Sequence, residues 1–298
     1  MSKTSFKHVE LRRAFWIRHL LHRMTAGLRL RQPDQVPYTL CAFPCDLIGR
    51  EIAVDGTFEA SGIAAVHWLC EQGVIAGSER STFLDVGANI GVYTVALAPS
   101  FSRVLAFEPH PVVNQVLALN IAINNLGNVT SCNYGLSDAD SNAELWEGGT
   151  DNMGMSSIDR GIGTGASYAI RLRHAATAVR ETTNLPVAFV KIDVEGHEPK
   201  VVAGLRTLLA EQQPVVAFEA NDAVHNDDIL GQFRDFGYTM FLALDYSPSV
   251  KSLWFRVAAL TVLGVRTTLK PVSELRGASY PLVFALPPRA AAKYASID

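Results

Sequence analysis

From Thr82 onward, short and almost continuously apolar segments alternate with segments whose apolar residues recur every three or four positions. The first pattern predicts strands buried on both faces, and the second predicts helices packed on a sheet. Predicted strands cover 82–86, 103–108, 129–134, 187–192, 214–218, 238–244 and 280–285, and predicted helices cover 91–98, 111–126, 199–212 and 227–236. This alternation predicts an α/β fold with a doubly wound, mostly parallel, seven-stranded sheet.

The region before this pattern predicts a helical N-terminal extension, residues 1–75, followed by a main domain, residues 76–298. Short strands are expected at 38–40 and 46–48, and a helix at 58–72. Two interruptions in the main domain are expected to border the binding site or cover the sheet: a glycine-rich loop at 147–167 and an insertion at 246–279.

Residues 1–32 carry eight Lys or Arg and one acid, which leaves 18 basic and 28 acidic residues, a net charge of −10, in the remainder. From Leu11 onward, helical periodicity places an apolar stripe opposite the arginines. Such a basic amphipathic helix can contact an anionic membrane or an acidic partner. It can equally pack its apolar stripe on the domain or on a second subunit of a homodimer.

With 48% hydrophobic and 18% charged residues, the chain is expected to fold without disulfides, since its four cysteines are few and scattered. The longest apolar run, 253–265, is too short to span a bilayer and is interrupted by Arg256. We therefore expect a cytoplasmic protein. The acidic balance of the main domain opposes binding to a nucleic-acid backbone.

A glycine-containing turn follows the first predicted strand, from Asp85 to Gly91. Asn89 stands where a dinucleotide-binding G-x-G-x-x-G motif has its middle glycine, which disfavours a pyrophosphate ligand and therefore NAD. Glu108 ends the second strand, where a carboxylate can accept hydrogen bonds from ribose hydroxyls. The pattern favours a cofactor with a ribose and an amino-acid group.

Several motifs together resemble the FkbM family of S-adenosylmethionine-dependent methyltransferases. They are 83–94 (FLDVGANIGVYT), 106–109 (AFEP), Asn120, Asn125, 135–138 (GLSD) and 190–198 (VKIDVEGHE). The resemblance covers roughly residues 80–220 and implies a class I methyltransferase (Rossmann-like) sheet, S-adenosylmethionine as cofactor, and O-methylation of a hydroxyl on a sugar, glycan or secondary metabolite.

The resemblance also implies cofactor-binding roles. Glu108 would hold the ribose, and Asp138 the adenine, although Asp138 lies in a sequence that also favours a simple turn. The expected contacts to the methionine half are Asp85, Gly87, Ala88, Asn89, Gly91, Tyr93 and Thr94.

The chemistry is expected beyond the fourth strand, since ligands of open α/β sheets bind at the carboxyl ends of strands. Asp193, Glu195 and His197 are the catalytic candidates there, and Asp193 or His197 would accept the acceptor's proton. The alternative for Glu195 and Glu198 is that they cap the following helix. Asp193 with Glu219 and Asn221 would also form an all-oxygen site suited to Mg²⁺.

The sequence therefore predicts an S-adenosylmethionine-dependent O-methyltransferase acting on a small-molecule or glycan hydroxyl. The alternative is a non-catalytic module that keeps cofactor binding and attaches to a membrane surface or a scaffold through residues 1–32.

Overall fold

The computed structural model describes residues 7–10, 36–44, 46–146, 158, 166–220, 226–247, 265–275 and 280–297. Within these ranges the strands are β1 (Lys7–Glu10), β2 (Thr82–Val86), β3 (Arg103–Phe107), β4 (Val129–Cys132), β5 (Gly135–Ser137), β6 (Ser141–Trp146), β7 (Ser167–His174), β8 (Val187–Ile192), β9 (Val215–Ala220), β10 (Met240–Ser247), β11 (Val265–Pro271) and β12 (Tyr280–Leu286). The α-helices are α1 (Leu47–Asp55), α2 (Ala60–Glu71), α3 (Val92–Leu97), α4 (Pro111–Ile123), α5 (Ala175–Thr182), α6 (Glu198–Gly204), α7 (Arg206–Gln212), α8 (Asn226–Asp235) and α9 (Pro288–Ala295).

One sheet carries the fold, with strand order β1-β11-β10-β12-β9-β8-β2-β3-β4. From β9 to β4, all neighbouring strands are parallel. β12 is antiparallel to both β9 and β10, and β10, β11 and β1 continue antiparallel to the edge. The seven predicted strands are therefore present in a mainly parallel sheet. The difference from the expectation is that β11 and β1 extend the described sheet to nine strands.

Successive side chains along the parallel strands enter two separate apolar layers, as the alternation of a pleated strand requires. Phe83 and Phe189 stack in one layer, with ring centroids 5.1 Å apart. Leu84 and Val190 enter the other layer. Helices α5 to α8 cover this second face, while α1 to α4 and α9 lie on the first. The sheet is thus doubly wound, as the sequence predicts.

A second, three-stranded sheet lies beyond β4, with order β5-β7-β6. β6 and β7 pair antiparallel, from Ser141 with Leu172 to Trp146 with Ser167. The glycine-rich loop therefore connects the two strands of a hairpin. Continuous apolar runs predict buried strands, and β6 and β7 lack such runs because they are half-exposed and alternate polar and apolar residues.

The short strands expected at 38–40 and 46–48 are wrong. Residues 38–40 form no regular element, and Leu47 and Ile48 begin helix α1. The adjacent apolar residues Leu47 and Ile48 predict a strand only when considered alone, whereas Ile52 and Val54 form the buried face of a helix. The helix expected at 199–212 is divided at Leu205 into α6 and α7.

Three expectations lie largely outside the described residues: the basic helix that starts at Leu11, most of the loop at 147–167, and residues 248–264 of the insertion. In the part of the chain that the structure does describe, no helix is long and apolar enough to cross a membrane.

Candidate active site

The turn after β2 brings the cofactor motif against the end of β8. Gly87 has φ +78°, and a Cβ atom there would overlap the Asp193 carbonyl oxygen. Glycine is therefore required both by the backbone conformation and by the close approach of the two strands. Asn89 also has positive φ, at 51°, and its side-chain oxygen accepts a hydrogen bond from the Ile90 N–H at 2.7 Å.

Glu108 lies beside this turn and is buried. One carboxyl oxygen accepts from the Asn89 N–H at 2.9 Å, and the other accepts from the His110 N–H at 2.8 Å. Burial raises the pKa of Glu108 to about 7, although both backbone donors favour the ionised form. The carboxyl thus connects the ends of β2 and β3 and retains lone pairs that face the cavity.

A layer of buried polar residues lies behind the turn. Thr94 donates its hydroxyl to Asp85 at 2.6 Å, and both side chains are fully buried. The second carboxyl oxygen of Asp85 has no hydrogen-bond partner among the described residues. Tyr93 is buried beside them. These three predicted cofactor residues support the wall of the cavity and are not among the residues that line it.

Lys191 is the buried cation of the site, which the sequence interpretation did not assign. Its ammonium donates to Asp193 at 2.8 Å and lies 4.7 Å from the centre of the Tyr93 ring. Burial opposes the charge of Lys191, but Asp193, Asp85 and Glu59 outweigh it and raise the pKa of Lys191. Lys191 therefore remains charged, is hydrogen-bonded to Asp193 and is attracted to Asp85 and Glu59.

Asp193 and Glu219 form a hydrogen-bonded carboxyl pair at the ends of β8 and β9. Burial opposes ionisation of Asp193, but Lys191 and the hydrogen bond with Glu219 hold its pKa below the usual value. Burial and the adjacent Asp193 raise the pKa of Glu219. The pair therefore shares one proton, which Glu219 holds while Asp193 is ionised.

The loop after β8 carries the other predicted catalytic groups. Glu195, with φ 50°, lines the cavity, and burial together with Asp193 and Glu198 raises its pKa to about 7. His197 also lines the cavity, and its Nε2 atom lies 3.0 Å from the Ser137 hydroxyl. Burial lowers the pKa of His197. Glu198 is buried in the first turn of α6 and accepts from the Val194 N–H at 2.9 Å, a donor that precedes the helix, so this hydrogen bond is not a helix cap.

The cavity between these elements has a volume of about 290 Å³. Its walls combine the cofactor turn, Glu108, the carboxyl groups after β8 and β9, and apolar residues from the N-terminal extension and the β6–β7 hairpin. The sequence interpretation missed two polar lining residues, Glu59 and His110. His110 is buried, caps α4 through Nδ1, and has its ring 4.3 Å from that of Tyr168. The Glu-Pro-His-Pro sequence before a helix was the available signal for it.

Asp138, the predicted adenine contact, lies at the periphery. It is exposed, accepts from the Ser137 hydroxyl at 3.0 Å, and is not among the cavity-lining residues. Ala88 is buried within the turn, and Gly91 caps α3 with φ +89°. The structure thus brings Gly87, Asn89, Glu108, Asp193, Glu195, His197 and Glu219 to one cavity.

Asp193, Glu195 and Glu219 each offer an oxygen within 4.8 Å of the others, a spacing compatible with a metal ion. Of the predicted metal ligands, Asn221 lies outside the described residues. The charge of this cluster is already reduced by the Lys191 ammonium and by the proton on Glu219.

A glycine turn, a buried carboxyl group at the end of the next strand and a polar crevice at the carboxyl ends of parallel strands are typical of a Rossmann-like fold. The model of the FkbM methyltransferase domain matches residues 85–240, just over half of the chain. The chain belongs to the FkbM methyltransferase family, and the protein is a methyltransferase with a class I fold.

Two relatives of this chain are also named methyltransferases. Methyltransferase sdnD of Sordaria araneosa is 26% identical over 199 residues, which cover 56% of this chain and 71% of that protein. Methyltransferase 1 of Beauveria bassiana is 27% identical over 148 residues, which cover 43% of this chain and 59% of that protein. Among solved structures, the methyltransferase FkbM of Methylobacillus flagellatus is similar with TM-score 0.38 and 16% identity, covering 87% of this chain and 60% of that one.

The residues at the turn fit the cofactor that the family implies, S-adenosylmethionine. Glu108 offers acceptor lone pairs for ribose hydroxyls, and the glycine conformation at Gly87 keeps the turn free of side chain. Five acids line the cavity, whereas no Lys or Arg is among its described lining residues. Each of these carboxyl groups that ionises makes the potential of the cavity more negative, which suits a ligand that carries a sulfonium and an ammonium group.

Proposed function

We propose that the protein is an S-adenosylmethionine-dependent O-methyltransferase, and that its acceptor is a hydroxyl on a sugar, glycan or secondary metabolite. The observation that carries the proposal is the position and ionisation of Asp193. Asp193 lies at the end of β8 and lines the cavity, and its half-buried carboxylate is kept ionised by Lys191. Its backbone carbonyl abuts Gly87 of the cofactor turn.

In this proposal, Asp193 accepts the proton that the acceptor hydroxyl loses as its oxygen bonds to the methyl carbon. Bound S-adenosylmethionine would supply the electrophilic methyl group, with the electron pair of its carbon–sulfur bond left on sulfur. Lys191 fixes the position of Asp193 through the 2.8 Å ion pair. Glu219 donates the hydrogen bond that favours the ionised form of Asp193 before the reaction.

The other cavity residues bind and orient. Glu108 would hold the ribose, and Gly87 and Asn89 would approach the methionine half through their backbone. His197 and Glu195 face the same cavity from the loop after β8 and would contact the acceptor. Since five acids and no Lys or Arg are among the described lining residues, we propose an acceptor that is neutral or cationic at the reacting end; a phosphorylated end would find no basic side chain there.

The test is Asp193→Asn, assayed for S-adenosylhomocysteine binding by calorimetry and for methyl transfer from labelled S-adenosylmethionine to a panel of glycosides and polyketide alcohols. We expect binding within about twofold of wild type and turnover reduced by about 100-fold, because a general base contributes on that order. A surface variant, Glu144→Gln, serves as the matched control for handling and folding, since Glu144 is exposed on β6. Wild-type turnover in Asp193→Asn would remove Asp193 from the chemistry.

A second arm of the same assay addresses Mg²⁺. Because Lys191 and the shared proton already balance the cluster at Asp193, we expect turnover to be unchanged by EDTA. Loss of turnover in EDTA, restored by Mg²⁺, would instead assign Asp193, Glu195 and Glu219 to a divalent ion.

A further inference from the structure

The chain segment that leads into α1 is attached to helix α4 by two asparagine side chains. Asn124 accepts from the Thr39 N–H at 2.9 Å and donates to the Thr39 carbonyl at 2.7 Å. Asn120, one helical turn earlier, accepts from the Cys41 N–H at 2.7 Å and donates to the Cys41 carbonyl at 3.0 Å. Each amide thus replaces the partner strand that this irregular segment lacks.

Asn120 and Asn124 differ in the second acceptor of the amide nitrogen. Asn124 donates to the Asn120 carbonyl at 2.7 Å, whereas Asn120 donates to the Ile90 carbonyl at 2.7 Å and is fully buried. Ile90 belongs to the cofactor turn, where its N–H donates to Asn89, whose own N–H donates to Glu108. A continuous series of hydrogen bonds therefore joins Cys41 to the proposed ribose carboxylate.

The segment held by Asn120 continues into one wall of the cavity. We call this the N-terminal wall and define it as Leu47, Ile48, Phe58 and Glu59, all of which line the cavity. Glu59 precedes α2 with φ 50°, a left-handed conformation that is costly for a glutamate and is held in place by its surroundings. It faces Lys191 and Tyr93. All four residues precede the region that the family model matches.

We propose that Asn120 is a positioning residue that couples the N-terminal wall to the cofactor turn, so that cofactor binding and the placement of this wall depend on each other. The inference rests on the proposed cofactor binding. Asn120 reaches no cavity itself; it acts by holding the Ile90 carbonyl and the Cys41 backbone at a fixed separation. The wall thereby becomes part of the methyltransferase site, contributed by sequence outside the family domain.

The mutual dependence has a physical basis, because the Asn120 side-chain amide is hydrogen-bonded to three backbone groups at once. These are the Cys41 N–H, the Cys41 carbonyl and the Ile90 carbonyl. If the turn shifts, the Ile90 carbonyl loses a donor in a buried environment, which is unfavourable. A ligand that holds the turn in its bound conformation therefore also favours the conformation in which Asn120 is hydrogen-bonded to Cys41. Asn124 grips Thr39 without touching the turn and lacks this coupling.

The wild-type protein gives the first test, by hydrogen exchange of residues 38–59 with and without S-adenosylhomocysteine. We expect the ligand to slow exchange in this segment, although the cofactor motifs lie elsewhere in the sequence. Unchanged exchange throughout 38–59, with binding confirmed by calorimetry, would overturn the proposal.

The second test compares Asn120→Asp with its matched control Asn124→Asp. Each variant keeps an oxygen acceptor and loses the amide donors, but only Asn120→Asp affects the turn. We expect the dissociation constant for S-adenosylhomocysteine to rise about tenfold in Asn120→Asp and to stay within about twofold in Asn124→Asp. The ligand-induced slowing of exchange should disappear only in Asn120→Asp.

Equal affinities in the two variants would reduce Asn120 to a structural role and overturn the proposal. If Asn120→Asp does not fold, the exchange measurement on the wild-type protein decides the question by itself. Absence of S-adenosylhomocysteine binding to the wild-type protein would instead contradict the proposed function, which is a separate and recognisable failure.

Discussion

Glu108 is a carboxyl whose two oxygens are both hydrogen-bonded by backbone N–H groups while its pKa is raised to about 7 by burial. In the ligand-free protein it therefore carries a proton over much of the range below neutrality. Ribose hydroxyls would donate to the ionised form. Binding and deprotonation of Glu108 should consequently be linked.

This linkage gives a prediction for pH. Since the pKa of free Glu108 lies above its usual value, binding below about pH 7 must release its proton, and the affinity for S-adenosylhomocysteine should fall as the pH falls from about 7 to 5. Above pH 7 this contribution should level off. Calorimetry in buffers of different ionisation enthalpy measures the released proton directly. A Glu108→Gln variant that shows the same pH slope as the wild type would contradict this assignment.

Gly87 allows a second prediction at the residue scale. Gly87→Ala should lower the melting temperature strongly and weaken cofactor binding, because a Cβ atom would overlap the Asp193 carbonyl oxygen at φ +78°. Gly77→Ala is the matched control: Gly77 has φ +65°, but nothing lies within 4 Å of its Cβ position. We expect Gly77→Ala to cost only the backbone strain, about 1 kcal/mol. Thermal unfolding of both variants separates the cost of backbone strain from the cost of the Cβ overlap. An equal fall in melting temperature in the two variants would show that the overlap at Gly87 is unimportant.

Single residues also mark how far the sequence could predict the site. Gly87, Glu108 and Asp193 were recognisable because they sit at strand ends, where the topology of a parallel sheet fixes their position. The sequence predicts only that Lys191 lies in a strand. Its role in the site depends on three acids from separate segments, Asp193, Asp85 and Glu59. Glu59 was not recognisable either, since α2 reaches the cavity only through the packing of the extension.

At the scale of elements, continuous apolar runs identified the buried strands, and their bounds changed by a few residues at most. The errors fall where burial is one-sided or sequence signals are short. Helix α1 was missed because its apolar positions begin with two adjacent residues, Leu47 and Ile48. β11 and β1 were missed because they extend the sheet edge and carry polar residues such as Thr267 and Lys270.

Element order predicts the outcome of truncation. Deleting residues 1–32 removes β1, which lies at the sheet edge six positions from the cofactor strand β2, so we expect S-adenosylhomocysteine affinity to stay within about twofold. Deleting residues 1–44 also removes Thr39 and Cys41 and should weaken binding. Calorimetry measures both, and sedimentation or liposome flotation tests whether 1–32 mediate dimerisation or membrane contact. Equal affinities in the two truncations would place the Cys41 contact outside the cofactor site.

At the scale of the whole molecule, the polar residues of the site lie together at the carboxyl ends of the parallel strands. The ends of β2, β3, β8 and β9 bring the turn, Glu108, Asp193 and Glu219 to a single cavity, and the order of these strands follows from short crossover helices. The extension and the β6–β7 hairpin add further lining residues to this cavity. The region that the family model matches therefore supplies most of the cavity lining, and the N-terminal extension adds Leu47, Ile48, Phe58 and Glu59.

The central claim is that the cavity binds a methyl donor. The most direct measurement is calorimetric titration of the purified protein with S-adenosylmethionine and S-adenosylhomocysteine, with NAD as control. The account predicts micromolar affinity for the first two and none for NAD, because Asn89 replaces the glycine that a pyrophosphate requires and Glu108 remains to accept from the ribose. Binding of NAD without binding of either S-adenosyl compound would contradict it.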